Sequence, residues 1–288
     1  MSFFNRSSVH TLKLTDWLNI CAGQSRDYSQ YRVVLPMIQR GFVWKPNQII
    51  DLWDSLLHGM PIGTLMLSEM KASTPYLCID GSANGQPKVE ETDQRQSLGL
   101  VDGQQRTLAM LLALPPAEQG ASRIWVDFGD EPPQGYLMRL RVTTRNHPFG
   151  YRRDNPNARL SMDDRRCAKE SYEGRGPGSY RPHPNGAKLS LCIDLADLLR
   201  DWKNKTVDEE KNFDGWKNYV YEQLKCVEML NCGNGKRELQ PRWPDLPRDI
   251  RDKVYKRVDD LALGLTRFFE AEIPLLRVDS AFFDTKYS

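Results

Sequence analysis

A short apolar run, Leu98-Gly99-Leu100-Val101, leads straight into Asp102-Gly103-Gln104-Gln105-Arg106, and apolar residues then recur at helical spacing from Thr107 to Leu114. That order reads as a strand, a tight turn and a helix, with the polar cluster at the helix start. It commits this part of the chain to an α/β arrangement. The first turn of a helix carries backbone N–H groups without intrahelical partners and the positive end of the helix dipole. Two readings of the cluster follow. Asp102, with Gln105 three residues on, matches a capping box and needs no ligand. Alternatively, the turn is a seat for an anion such as a phosphate. Arg106 sits against the dipole, at a cost of about 0.3–1 kcal/mol at an exposed site. A bound anion would reverse that sign.

The flanking sequence extends the alternation. Asp16–Ala22 reads as a short helix capped by Thr15-Asp16, and Tyr31–Leu35 as a strand stopped by Pro36. Asn47–Leu57 is a clear helix: Ile49, Ile50, Leu52, Trp53, Leu56 and Leu57 share a face, Pro46 precedes it and Gly59 follows it. Gly63–Ser68 and Leu98–Val101 read as strands, with the polar stretch Glu69–Gln96 an excursion between them. Arg123–Phe128 and Gly135–Thr143 form a further strand pair around a Gly129-Asp130-Glu131-Pro132-Pro133 turn. The last third predicts helices over Ile193–Lys203 and along two apolar stripes, Phe213 to Leu230 and Ile250 to Phe268. A strand over Ile273–Val278 follows.

Composition narrows the class. With 27% charged and 40% hydrophobic residues and a formal net charge of +2, the chain is ordinary for a globular protein, and bulk charge alone announces no nucleic-acid binder. No apolar run approaches the roughly 20 residues that cross a bilayer, and the N-terminal residues lack a secretory core. The six cysteines form no CxxC pair and the four histidines are scattered, so no zinc pattern appears. Free thiols in a reducing cytoplasm are the expectation.

Two further segments carry chemistry. Gln39-Arg40 precedes Gly41-Phe42-Val43-Trp44, between the Tyr31 strand and the Asn47 helix. Arg40 and Arg106 then both lie at or before helix starts, a pair suited to gripping a polyphosphate through charge-assisted hydrogen bonds. Phe42 and Trp44 offer an aromatic face for a base, although core packing is the commoner use of such rings. The segment from Arg141 through Arg145, His147 and Tyr151 to Arg152 and Arg153 alternates basic and aromatic groups, a composition that suits a phosphate backbone. Between Arg139 and Arg181 there are eleven Lys/Arg against five Asp/Glu. The same loop also reads as a solvated surface, and His147 as either a general base or an ordinary loop histidine.

Three blocks carry a family likeness: Leu35 to Trp44, Leu52 to Gly63, and Val101 to Thr107. In order and spacing they resemble the N-terminal domain of GmrSD-type modification-dependent restriction endonucleases, also found in phosphorothioate-sensing restriction NTPases, of the ParB/sulfiredoxin-like group. The resemblance covers about residues 30–115. It implies an α/β (α+β) fold, a ParB/sulfiredoxin-like small mixed sheet with helices, followed by a mainly helical C-terminal region. The domains expected are 1–143 for nucleotide binding, 144–187 as a basic loop insertion and 188–288 as the helical region.

The resemblance also implies a function. The DGQQR motif would bind and hydrolyse a nucleoside triphosphate such as GTP or ATP. Asp102, Gln104, Gln105 and Arg106 would be catalytic, and Gln39, Arg40, Phe42, Trp44 and Gly103 would bind the nucleotide. Arg106 and Arg40 would neutralise phosphate charge, Asp102 would hold a magnesium ion or orient water, and Gln104 or Gln105 would position that water. DNA, including modified phage DNA, would be sensed through Arg141, Arg145, His147, Arg152 and Arg153. No His-Asn-His constellation with nuclease spacing is present, so a nuclease in another domain or subunit is the expected partner, alongside self-association. The alternative is a non-enzymatic module that binds nucleotide or modified DNA as a regulatory ligand.

Overall fold

The structure is a computed structural model. It describes residues 8–36, 41–70, 76–79, 95–114, 122–144, 146–152, 154–166, 191–207, 212–225 and 245–278. The chain divides into two compact units, each discontinuous in sequence. The first comprises residues 1–44, 59–111 and 267–288; the second comprises 45–58 and 112–266.

The first unit is built on a six-stranded mixed sheet. Its strands are β1 (Val9–Lys13), β2 (Tyr31–Pro36), β3 (Leu65–Glu69), β4 (Tyr76–Cys78), β5 (Gln96–Asp102) and β9 (Glu272–Arg277), in the order β1-β9-β3-β5-β2-β4. β9 pairs parallel with β3 and antiparallel with β1, so the C-terminal strand fills the gap between them. β5 lies parallel to β2 and antiparallel to β3. The helices α1 (Leu14–Cys21) and α3 (Gln104–Leu111) belong to this unit. Leu14, Trp17, Leu18 and Ile20 of α1 are buried together with Val33, Leu35, Leu65, Leu67, Leu98, Leu100 and Leu275 of the strands. The Trp17 indole, fully buried, donates to the Thr107 hydroxyl of α3 at 3.4 Å. That bond satisfies the one polar atom of the largest core side chain, as a buried indole requires. The expected Thr15-Asp16 cap does not form: α1 begins at Leu14, whose N–H donates to Ala271 O.

The second unit holds α2 (Pro46–Leu57) and a three-stranded antiparallel sheet in the order β7-β6-β8, from β6 (Arg123–Asp127), β7 (Arg139–Thr143) and β8 (Cys192–Asp194). After these come α4 (Leu195–Trp202), a π-turn over Lys203–Val207, α5 (Phe213–Lys225) and α6 (Arg248–Glu270). The helix predicted from Ile193 starts two residues later. Cys192 and Ile193 extend the sheet opposite Asp127 and Val126, and the Asp194 carboxylate caps α4 by accepting from Ala196 N at 3.0 Å. The Trp202 and Trp216 rings meet edge to face at 4.9 Å and join α4 to α5. Among the described residues no helix is long and apolar enough to cross a membrane. The mixed α/β N-terminal region and mainly helical C-terminal region are as read from the sequence.

The β6–β7 hairpin is held by a buried charge cluster. Arg141 Nε donates to Asp127 Oδ2 and its Nη2 to Asp130 Oδ2, both at 2.7 Å, and all three side chains are nearly inaccessible. Asp127 Oδ1 also accepts from the Gly129 and Asp130 N–H groups, which fixes the turn. Charges this deep are tolerated only when paired and hydrogen-bonded. Truncation in Arg141→Ala leaves two carboxylates buried without a counter-charge. It is expected to cost about 3–5 kcal/mol of unfolding free energy, measured from the shift in urea midpoint.

Candidate functional site

The turn between β5 and α3 is dictated by Gly103. Its φ is +89°, and a Cβ there would lie 2.0 Å from Leu65 Cδ2. Only glycine combines this left-handed backbone with so close an approach. Gly103 O accepts the Thr107 N–H at 2.9 Å, opening the helix. Asp102 and Gln105 do not form the capping box that their spacing suggests. Asp102 is taken by Arg106 one turn on, and Gln105 by a distant segment.

Gln105 binds a segment more than sixty residues away. Its amide nitrogen donates to Gly41 O at 2.9 Å and its amide oxygen accepts from Val43 N at 2.9 Å. One side chain thus imitates a strand neighbour for residues 41–43. Arg106 does the same for the segment after Gly59: Nη1 donates to Ile62 O at 2.5 Å and Nη2 to Thr64 O at 3.1 Å. Nη2 also pairs with Asp102 Oδ2 at 3.0 Å. Gly63, at φ +85°, makes room for this, since a Cβ would come within 2.6 Å of Arg106 Nη1. The Asp102 pair satisfies the arginine that stands against the helix dipole. Asp102 itself keeps 60% of its side chain exposed, whereas Gln104 is buried.

Two adjacent side chains of the first turn of α3 therefore anchor two loops. On the first, Phe42 and Val43 are exposed and Trp44 is half-buried; on the second, Met60 is exposed. Gln39 and Arg40 lie outside the described residues. The loop contacts of Arg106 were signalled in the sequence only by the Pro61-Ile62-Gly63 block, and nothing local announced those of Gln105.

The basic segment belongs to the second unit. Arg141 is a framework residue of the hairpin, through the buried cluster described above. His147 packs against Tyr151 with the rings tilted by 53° and their centroids 4.8 Å apart, and its backbone exchanges hydrogen bonds with Thr144. Burial, then the charges of Arg159 and Arg165, hold the His147 imidazole below its usual range, so it is neutral at pH 7. Arg152 makes an exposed two-pronged pair with Asp154 at 3.0 and 2.8 Å. Arg145 and Arg153 lie outside the described residues. Among the described residues no three His, Cys, Asp or Glu side chains group as a metal site.

The sequence matches the family of the GmrSD restriction endonuclease N-terminal domain over residues 23–273. The chain belongs to that family. The match embraces both units, from the loop after α1 to the first residues of β9. It thus reaches well beyond the motif-bearing stretch of about residues 30–115. The chain is also 34% identical over 85 residues to an uncharacterized protein of Methanocaldococcus jannaschii. That segment is 28% of this chain and spans only 14% of the relative's length.

Two expectations follow from the geometry. Gly103→Ala combines a positive φ with a clash on Leu65 and is expected to cost about 2–4 kcal/mol, read from denaturant unfolding. In an NMR titration the His147 ring should show a midpoint below about 6.5, shifting upward in Arg159→Ala.

Proposed function

We propose that this member of the GmrSD N-terminal family is a nucleotide-binding and nucleotide-hydrolysing sensor module of a restriction or phage-defence system. Its first unit would be a ParB/sulfiredoxin-like scaffold, and its turnover would license a nuclease in another domain or subunit. The observation that carries this reading is the anchoring of two loops to the first turn of α3 by Gln105 and Arg106. That arrangement gathers backbone N–H groups, an arginine, an exposed carboxylate and an exposed phenylalanine around one helix start. A nucleoside triphosphate is the ligand whose parts match them: phosphates for the helix start, an aromatic base for Phe42.

In this reading Gln105 is a positioning residue, holding the 41–43 segment, and Gln104 lies beneath the site. Arg106, still held by Ile62 O and Thr64 O, would exchange its Asp102 partner for a phosphate oxygen. Asp102 has one carboxylate oxygen without a protein partner among the described residues. It suits a magnesium ion, which binds through one or two carboxylates, retained waters and the nucleotide's own phosphates. Bound there, magnesium would neutralise charge on the phosphates. DNA would engage the second unit through His147 and Arg152, in a cytoplasmic setting and with self-association as a further expectation.

The engagement of both Arg106 terminal nitrogens by Ile62 O and Thr64 O favours a second reading: a binding module without turnover, in which the motif is a loop fastener. Phosphate release from ATP, GTP, CTP and UTP, with and without DNA, separates the two. Asp102→Ala should lower turnover about ten- to a hundredfold while leaving the melting temperature unchanged, because the side chain is largely exposed. Binding without phosphate release would select the second reading. Wild-type turnover by Asp102→Ala would remove Asp102 from the mechanism.

A further inference from the structure

The second unit contains a cavity of about 270 Å³ formed entirely from its own elements: the N-terminal half of α2, the turn before β7 with β7 itself, and Tyr151, Arg152, Asp154 and Pro156. That volume lies just below the roughly 300 Å³ at which small-molecule sites begin, so the space admits one small group, such as a single nucleoside, and nothing larger. Its lining joins two tyrosines with groups of both charges. Tyr136 is fixed by a hydrogen bond from its hydroxyl to Asp51 Oδ1 at 2.6 Å. That bond and burial push its pKa up to about 12. Tyr151 is fixed by its contact with His147, and its hydroxyl lies 3.5 Å from Thr144 Oγ1. With both hydroxyls engaged, the rings offer the cavity carbon surface. Arg139 and Arg152 also line it, as does Asp51. The Arg152–Asp154 pair is exposed, and exposed pairs are weak enough for a phosphate to displace the carboxylate.

We infer that this cavity is a binding site for a single nucleoside phosphate unit. The base lies against the Tyr136 and Tyr151 rings with an exocyclic amino group donating to Asp51, and the phosphate lies on Arg152 and Arg139. The source of that unit is either a free nucleotide or an unpaired nucleotide of a DNA strand. The second source rests on the DNA-sensing role proposed above for this segment. The site is distinct from the turn at Gly103, with which it shares no residue.

The test uses the full chain and two probes, deoxyadenosine monophosphate and a six-residue oligodeoxyadenylate, with binding followed by calorimetry. Arg152→Ala and Tyr151→Ala are each expected to weaken binding about tenfold, the range for loss of one stacked base or one charged contact. Arg152→Ala should also flatten the logarithmic salt dependence of oligonucleotide binding by about 0.7. Binding of the monophosphate assigns the free nucleotide as source; binding of the oligonucleotide alone assigns the strand. Wild-type affinity in both Arg152→Ala and Tyr151→Ala overturns the inference, as does failure of the unaltered chain to bind either probe. Triphosphate turnover is read separately, so a chain that hydrolyses nucleotide without binding these probes loses only the cavity site.

Discussion

The hold of two consecutive side chains on two loops is the constraint on which the first unit's candidate site depends. Gln105 and Arg106 point from one helical turn to different backbones, one at 41–43 and the other at 62–64. Glutamine is suited to the first task, because its amide carries a donor and an acceptor side by side. Arginine is suited to the second, because its fork delivers several donors in fixed geometry. Neither would reach its loop without Gly103, whose left-handed turn directs β5 into α3, or without Gly63, which leaves space for the guanidinium. The motif is thus first an architectural device. Its proposed chemistry is built on the loop shape that it imposes.

Much of the fold was readable because it is local. The helix predicted over Asn47–Leu57 is α2, one residue longer at its start. The strand over Leu98–Val101 is the core of β5, and the Gly129–Pro133 turn joins β6 to β7. What escaped the sequence is non-local. No spacing rule places β9 between β1 and β3, and no pattern near Gln105 names Gly41 and Val43 as its partners. Asp102 and Gln105 satisfy the letter of a capping box, but Arg106 takes the first and the 41–43 backbone takes the second. Ile193 reads as helix by apolarity, yet pairing with Val126 and the Asp194 cap make it strand. Arg141 looked like part of a basic surface. Two carboxylates, one on β6 and one on the turn beyond it, draw it inward instead.

The two units carry different electrostatic economies. In the second, Arg141 is neutralised twice over by buried aspartates, and His147 is kept neutral by burial and nearby arginines. The positive character left for a ligand there is that of the exposed arginines, with tyrosine rings beside them. At the turn of the first, the exposed Asp102 carboxylate and the part-buried Arg106 guanidinium neutralise each other across one helical turn. Because its carboxylate end is exposed, such a pair could exchange that partner for a phosphate and a metal ion at modest cost.

Amide hydrogen exchange of the full chain, with and without saturating nucleoside triphosphate and magnesium, addresses the central claim most directly. The account predicts slowed exchange at residues 104–106 and in the loops 41–44 and 62–64, because the ligand would sit on the turn and lock what Gln105 and Arg106 already hold. Unchanged exchange in all three segments, with the nucleotide demonstrably bound elsewhere on the chain, would contradict it.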